Sequence, residues 1–103
     1  MNAKFFIYGI DESDARQKLL ESFEQISVIK CSVHECEKYW KMENVYTFKA
    51  EVDLNEENLD SFLNLYANHW MKIGNPVEEY IASSNDVDTT YIRSGFVMIQ
   101  VFT

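Results

Sequence analysis

Between Val45 and Leu54 the chain alternates without a break. Tyr46, Phe48, Ala50, Val52 and Leu54 fall on one side, and Thr47, Lys49, Glu51 and Asp53 on the other. That period of two is the period of a strand with one buried face and one face in water. The following residues switch the period. Asn55 is a capping residue, Glu56 and Glu57 suit the positive end of a helix dipole, and Leu54 and Leu59 flank the cap as a hydrophobic staple. Leu59, Phe62, Leu63, Tyr66 and Trp70 then recur at helical spacing until Gly74 and Pro76 end the segment. A half-buried strand feeding directly into an amphipathic helix restricts the chain to a sheet with helices layered on it.

The remaining segments fit that restriction. Lys4–Ile10 is a short, almost continuously apolar strand, with Gly9 as a candidate bulge or close backbone approach. Asp11, Glu12, Ser13 and Asp14 offer a cap and an acidic first turn to a helix whose stripe is Ala15, Leu19, Phe23 and Ile26, widened by Leu20. Ser27–His34 alternates like a half-buried strand, and Glu35–Asn44 breaks the pattern as a connection carrying Tyr39 and Trp40. Val77–Ala82 predicts a short strand, Ser83–Thr90 an exposed turn, and Tyr91–Thr103 a long closing strand with two apolar faces. Strand, helix, strand, strand, helix, strand makes two split βαβ units. The expected fold is therefore α+β, a ferredoxin-like antiparallel sheet of four to five strands with two helices packed on one face. One globular domain over residues 1–103 suits the length.

Charge is distributed unevenly along the chain. Residues 1–49 hold eight acids and seven bases, residues 50–92 hold nine acids against Lys72, and residues 93–103 hold Arg93 alone. The acidity is regional: Glu51, Asp53, Glu56, Glu57, Asp60, Glu78, Glu79, Asp86 and Asp88. A pI near 4.6 argues against direct nucleic-acid binding and against an anionic membrane, both of which need clustered Lys and Arg. Neither a long apolar run nor a signal-like start is present, so a soluble cytoplasmic protein is expected.

Catalytic patterns are scarce. His34 and His69 lie in no nucleophile elbow, HExxH helix or phosphate-cradling glycine loop. Cys31, His34 and Cys36 form a C-x-x-H-x-C cluster, but a regular strand would point Cys31 away from the other two, and a structural zinc wants four convergent ligands. The same alternation predicts no Cys31–Cys36 bridge. Ser84–Asp88 lacks the glycine and terminal glutamate of an EF-hand. The carboxylate pairs sit at turns and helix starts, where water prevents the desolvation that a general acid needs. We expect no enzyme, no cofactor and no metal.

Size, acidity and inferred architecture, carried on AEVDLNEENLD and NPVEEYIASSNDVD, resemble the small acidic immunity proteins of bacterial contact-dependent growth inhibition and related polymorphic toxin systems. The resemblance implies a single cytoplasmic domain that binds one cognate toxin domain. From charge, the expected role is to cover the cationic active site of a basic toxin, a nuclease such as an RNase, with the nine acidic residues named above. Tyr39 and Trp40 are either anchors for that partner or a lid on the core. A monomer is favoured and a dimer is possible. The competing expectation is a ferredoxin-like dimer enclosing an apolar pocket, as in a cofactor-independent oxygenase or small-ligand sensor. It draws on the doubly apolar Phe96–Phe102, with His34, His69 or Asn68 as the polar groups of the pocket.

Overall fold

The strand and helix that constrain the sequence most also organise the structure, a computed structural model that describes residues 1–26 and 29–103. In chain order the elements are β1 (Asn2–Tyr8), α1 (Glu12–Glu24), β2 (Cys31–Lys38), β3 (Val45–Val52), α2 (Leu59–Tyr66), β4 (Met71–Ile73), β5 (Glu79–Ser83) and β6 (Phe96–Phe102). All six strands join one antiparallel sheet in the order β2-β3-β1-β6-β5-β4. Its β2-β3-β1-β6 portion, with α1 and α2 as crossovers, is the expected ferredoxin-like arrangement. The β4–β5 hairpin lies between α2 and β6 in sequence and extends the sheet beyond β6.

Both helices lie on the same face. Ala3, Phe5 and Ile7 of β1, Phe48, Ala50 and Val52 of β3, and Ile99 and Val101 of β6 meet Ala15 and Leu19 of α1 and Phe62, Leu63 and Tyr66 of α2 in one core. Burying each of the larger side chains contributes about 1.5–3 kcal/mol, so this layer is the main source of stability. Gly9 makes the close approach expected of it. A Cβ there would lie 2.7 Å from the Ala15 backbone nitrogen, so only glycine lets β1 turn this tightly into α1. Asp11 caps α1 by accepting from the Asp14 N–H at 2.8 Å.

The opposite face is covered only in part. Phe6, Val45 and Val97 form a second, small core beneath Tyr39, Met42 and Met98. The pairing of β1 with β6 shifts register between Phe6 and Ile7, so Val97 and Met98 both turn to this side. The loop after β2 folds over it, and the Tyr39 ring meets Phe6 edge-on at 5.0 Å between centroids. The remainder of the face, including Glu35, Lys49 and Glu51, is open to water.

Several expectations need correcting. The predicted strand over Ser27–His34 starts instead at Cys31 among the described residues, and its first two positions, 27 and 28, lie outside them. It continues through Lys38, so only Tyr39–Asn44 forms the connection. Leu20 does not widen the core stripe of α1 and is 46% exposed. Tyr91–Thr103 is not one strand, because β6 begins at Phe96 and Ile92 makes only an isolated bridge to Ala67. Asn55 does cap, but it caps the turn before α2: its Oδ1 accepts from the N–H groups of Glu57 (2.9 Å) and Asn58 (3.0 Å). Glu56 and Glu57 therefore sit in that turn, and Asp60 is the acid in the helix's first turn.

The largest correction is at the other end of α2. Trp70 continues the helical spacing of apolar residues, yet the helix stops at Tyr66 and Ala67 is extended. Met71–Ile73 is a strand, so Gly74 and Pro76 turn a hairpin rather than end a helix. Trp70 folds back, and its indole N–H points at the carbonyls of Ala67 (3.2 Å), just past the helix end, and of Leu63 (3.0 Å), which also accepts the Ala67 N–H at 3.1 Å. Trp70→Phe keeps most of the ring and loses the donor. It should cost about 1–2 kcal/mol in urea unfolding, the order of one hydrogen bond to a partly buried acceptor, with little change in far-ultraviolet dichroism. An undiminished midpoint would show that water replaces the indole.

Candidate partner-binding surface

The register carries the acidic residues into one region. Across the open face, Ser32 pairs with Glu51, Glu51 with Asn2, Asn2 with Phe102, Phe102 with Glu79, and Glu79 with Ile73. Side chains in register point to the same side of a sheet, so these six residues form one transverse row. Adjacent strands are about 4.8 Å apart, which puts Glu51 and Glu79 roughly 14 Å from each other, with Asn2 and Phe102 between them. Phe102 keeps 37% of its surface exposed.

The row marks one end of the sheet, where β1, β2 and β5 begin and β3, β4 and β6 finish. Asp53 follows directly on β3, and the chain then enters the turn of Glu56 and Glu57 and the first turn of α2 with Asp60. Glu78 belongs to the same end, because its carbonyl accepts from the Thr103 N–H at 2.9 Å just beyond β6. Seven of the nine acidic residues singled out from the sequence thus lie together: Glu51, Asp53, Glu56, Glu57, Asp60, Glu78 and Glu79. Among the described residues, none of these seven is paired with Lys or Arg, and Glu51 lies 3.5 Å from the His34 imidazole. Acids left without counter-ions at the end of a small domain build an outward negative field.

Asp86 and Asp88 do not join them. They sit in the loop between β5 and β6, at the far end of the sheet, beside His69. His69 lies three residues past the end of α2. Tyr39 and Trp40 are also at the far end. Tyr39 is the lid described above, whereas Trp40 is 83% exposed with the Lys41 ammonium over its ring at 5.1 Å.

Between the two ends, the open face is electrostatically mixed. Lys49 pairs with Glu35 at 3.3 Å, and Lys4 lies directly opposite Lys49 in the β1–β3 register. These residues, with Asn2, His34 and Gln100, line a shallow concavity of about 560 Å³. Ala3, Ala50 and Phe102 complete its lining, so charged and amide side chains alternate with apolar surface around it.

The cysteine reading changes in geometry. A register shift between Val33 and Glu35 bulges β2 at His34. Cys31 and Cys36 therefore share the helix-facing side, opposite Val52 and Phe48, while His34 turns to the open face. His34, rather than Cys31, is therefore the member of the C-x-x-H-x-C cluster that diverges from the other two. Both thiols are free. Burial pushes Cys31 up, and burial followed by a hydrogen bond to the Glu12 carboxylate pushes Cys36 up to about 12, which leaves neither as a nucleophile near neutral pH.

Sequence reasoning missed Phe102 as a surface group because apolar residues on both faces of a strand read as burial on both faces. It also missed the meeting of His69 with Asp86 and Asp88, which spacing alone does not announce. Among the described residues, no helix is long and apolar enough to cross a membrane. Comparison with known proteins finds no matching family, no matching characterised protein and no matching solved structure.

Proposed function

We propose that this chain is an inhibitor of the immunity type, which neutralises a basic toxin domain by laying its acidic end over the toxin's cationic active site. The observation that carries the reading is the gathering of seven carboxylates at one end of the sheet, none of them paired with Lys or Arg among the described residues, with the exposed ring of Phe102 on the open face at that end. A nuclease collects phosphates with Lys and Arg, and carboxylates held on a rigid sheet and helix end occupy the same positions. Long-range attraction accelerates encounter, and a central aromatic group excludes water once the surfaces meet. Tyr39 is spent on the small core and has no part in this contact.

The test uses the tagged protein as bait in a lysate in which its genomic neighbours are expressed. A captured basic protein is assayed for nuclease activity, with and without the bait, across a salt series. Stoichiometric abolition of that activity, weakening as salt rises, is the expected result. Capture of no basic protein, or a captured nuclease left fully active, would end the proposal. The competing dimer reading keeps one favourable observation, the exposed Met71 and Ile73 beside Phe102 on the β4–β6 flank of the open face. A stable dimer that takes up a small apolar molecule would favour it.

A further inference from the structure

At the far end of the sheet, two chain segments bring three metal-ligating side chains together. His69 comes from the turn after α2, and Asp86 and Asp88 come from the loop between β5 and β6. The His69 Nε2 and Asp86 Oδ2 atoms are 3.6 Å apart, and one ligand atom from each of the three residues falls within 4.8 Å of the others. We propose that His69, Asp86 and Asp88 form a binding site for one divalent transition-metal ion of the zinc class.

The distances fit such an ion. Imidazole nitrogen and carboxylate oxygen bind zinc at about 2.0–2.2 Å, which places two ligands of a tetrahedron roughly 3.4 Å apart. The His69–Asp86 pair is already near that separation, and a rotation of the exposed Asp88 side chain brings the third ligand in. The donor set selects the ion. One imidazole with two carboxylates suits zinc and its neighbours, whereas calcium takes six to eight oxygens and makes little use of imidazole.

The site is held by contacts outside the ligands themselves. Asn68, next to His69, accepts from the Tyr91 N–H at 2.9 Å, donates its amide to Thr90 Oγ1 at 2.7 Å, and donates its backbone N–H to the Tyr91 carbonyl at 3.1 Å. These bonds staple the histidine segment to the residues directly after Asp88. Asp86 Oδ1 accepts from the Asp88 N–H at 3.0 Å, which leaves Oδ2 directed at His69. The same loop contains Thr89 Oγ1, an enclosed side-chain oxygen with no hydrogen-bond partner among the described residues. Two carboxylates this close repel each other, and among the described residues neither is paired with Lys or Arg. A bound dication removes that repulsion.

Calorimetric titration of Zn²⁺ into the untagged, chelator-stripped protein tests the proposal, with visible absorption of added Co²⁺ as a second readout. The expected result is one ion per chain at micromolar affinity, weakened at least tenfold by His69→Gln, Asp86→Asn or Asp88→Asn. A Cys31→Ser/Cys36→Ser variant should bind as the parent does, and the Co²⁺ spectrum should show no thiolate charge-transfer band. Asp88 is exposed and His69 and Asp86 are half-buried outside the main core, so the variants should keep the parent's dichroism. No binding below millimolar Zn²⁺, affinity unchanged in the three ligand variants, or binding lost in the cysteine variant would each overturn the site.

Discussion

Reversing charge at the acidic end should slow association with the partner far more than it speeds dissociation. Glu56→Lys/Glu57→Lys, and separately Glu51→Lys/Glu79→Lys, should each lower the association rate about 10- to 100-fold at low ionic strength, because steering by a clustered field is worth that much. The deficit should shrink as salt rises, since the Debye length falls to roughly 8 Å at physiological ionic strength and distant charges stop contributing. Stability should change little, because Glu51, Glu56 and Glu57 are exposed, Glu79 is half-buried, and among the described residues none of the four is paired with Lys or Arg.

Phe102→Ala isolates the other half of the same surface. Its ring carries no charge, so the association rate should hold while dissociation accelerates by about 10-fold or more, as for an aromatic anchor at the centre of a contact. Lys18→Glu/Lys38→Glu adds acid on the opposite side of the molecule from the row and serves as the control. Stopped-flow binding to the captured partner separates these cases. If the lysine variant altered association as strongly as the glutamate variants, the field would be a property of net charge and the acidic end would lose its meaning.

Sequence and structure agree where the signal is long and one-sided. The β3 alternation, the Asp11 cap of α1 and the Phe62–Leu63–Tyr66 stripe are all read from periodicity and chemistry, and each persists because burial rewards the same pattern. The β4–β5 hairpin was only half legible. Met71–Ile73 is three residues long, too short to show a period, and it follows a tryptophan that completes a helical stripe. What decided against helix is tertiary: the Trp70 indole caps α2 from outside, which no local pattern records. The acidic surface was legible as composition and not as geometry. Residues 50–92 carry nine acids against one lysine in sequence, but strand direction sends Glu78 and Glu79 to the Glu51 end and Asp86 and Asp88 to the other. Likewise a single bulge at His34 reversed the facing of the cysteines, because a one-residue slip exchanges the two faces of a strand.

Tyr66 is where a single substitution should cost the fold most, and where alkaline pH should act. It is fully buried, with its ring against Phe62 at 5.1 Å and against Phe5 and Phe96 at 5.4 Å each. Its hydroxyl meets Ser22 Oγ at 2.8 Å, and Ser22 already donates its proton to the Leu19 carbonyl at 2.6 Å, so the tyrosine is the donor. This one bond ties α2 to α1 across the core. Tyr66→Ala should cost about 3–5 kcal/mol, because the emptied site is lined by the rings of Phe5 and Phe96 in the sheet and Phe62 on α2, which limits its collapse. Tyr66→Phe should cost only about 1 kcal/mol at pH 7, since Ser22 keeps its bond to Leu19. Burial holds the Tyr66 hydroxyl well above the ordinary tyrosine range, as the phenolate would lose its water. Above pH ~10 the unfolded chain therefore releases a proton that the folded chain retains, and stability falls as pH rises. Cys36, pushed up to about 12, adds a decline of the same sign from about pH 8.5. Tyr66→Phe removes the steeper, later part of that decline and leaves the cysteine part. In urea unfolding followed from pH 7 to 11, the parent should start more stable, and the gap to Tyr66→Phe should close above pH 10. Parallel curves across the whole range would mean that the phenol ionises in place, and that the core around Ser22 admits water.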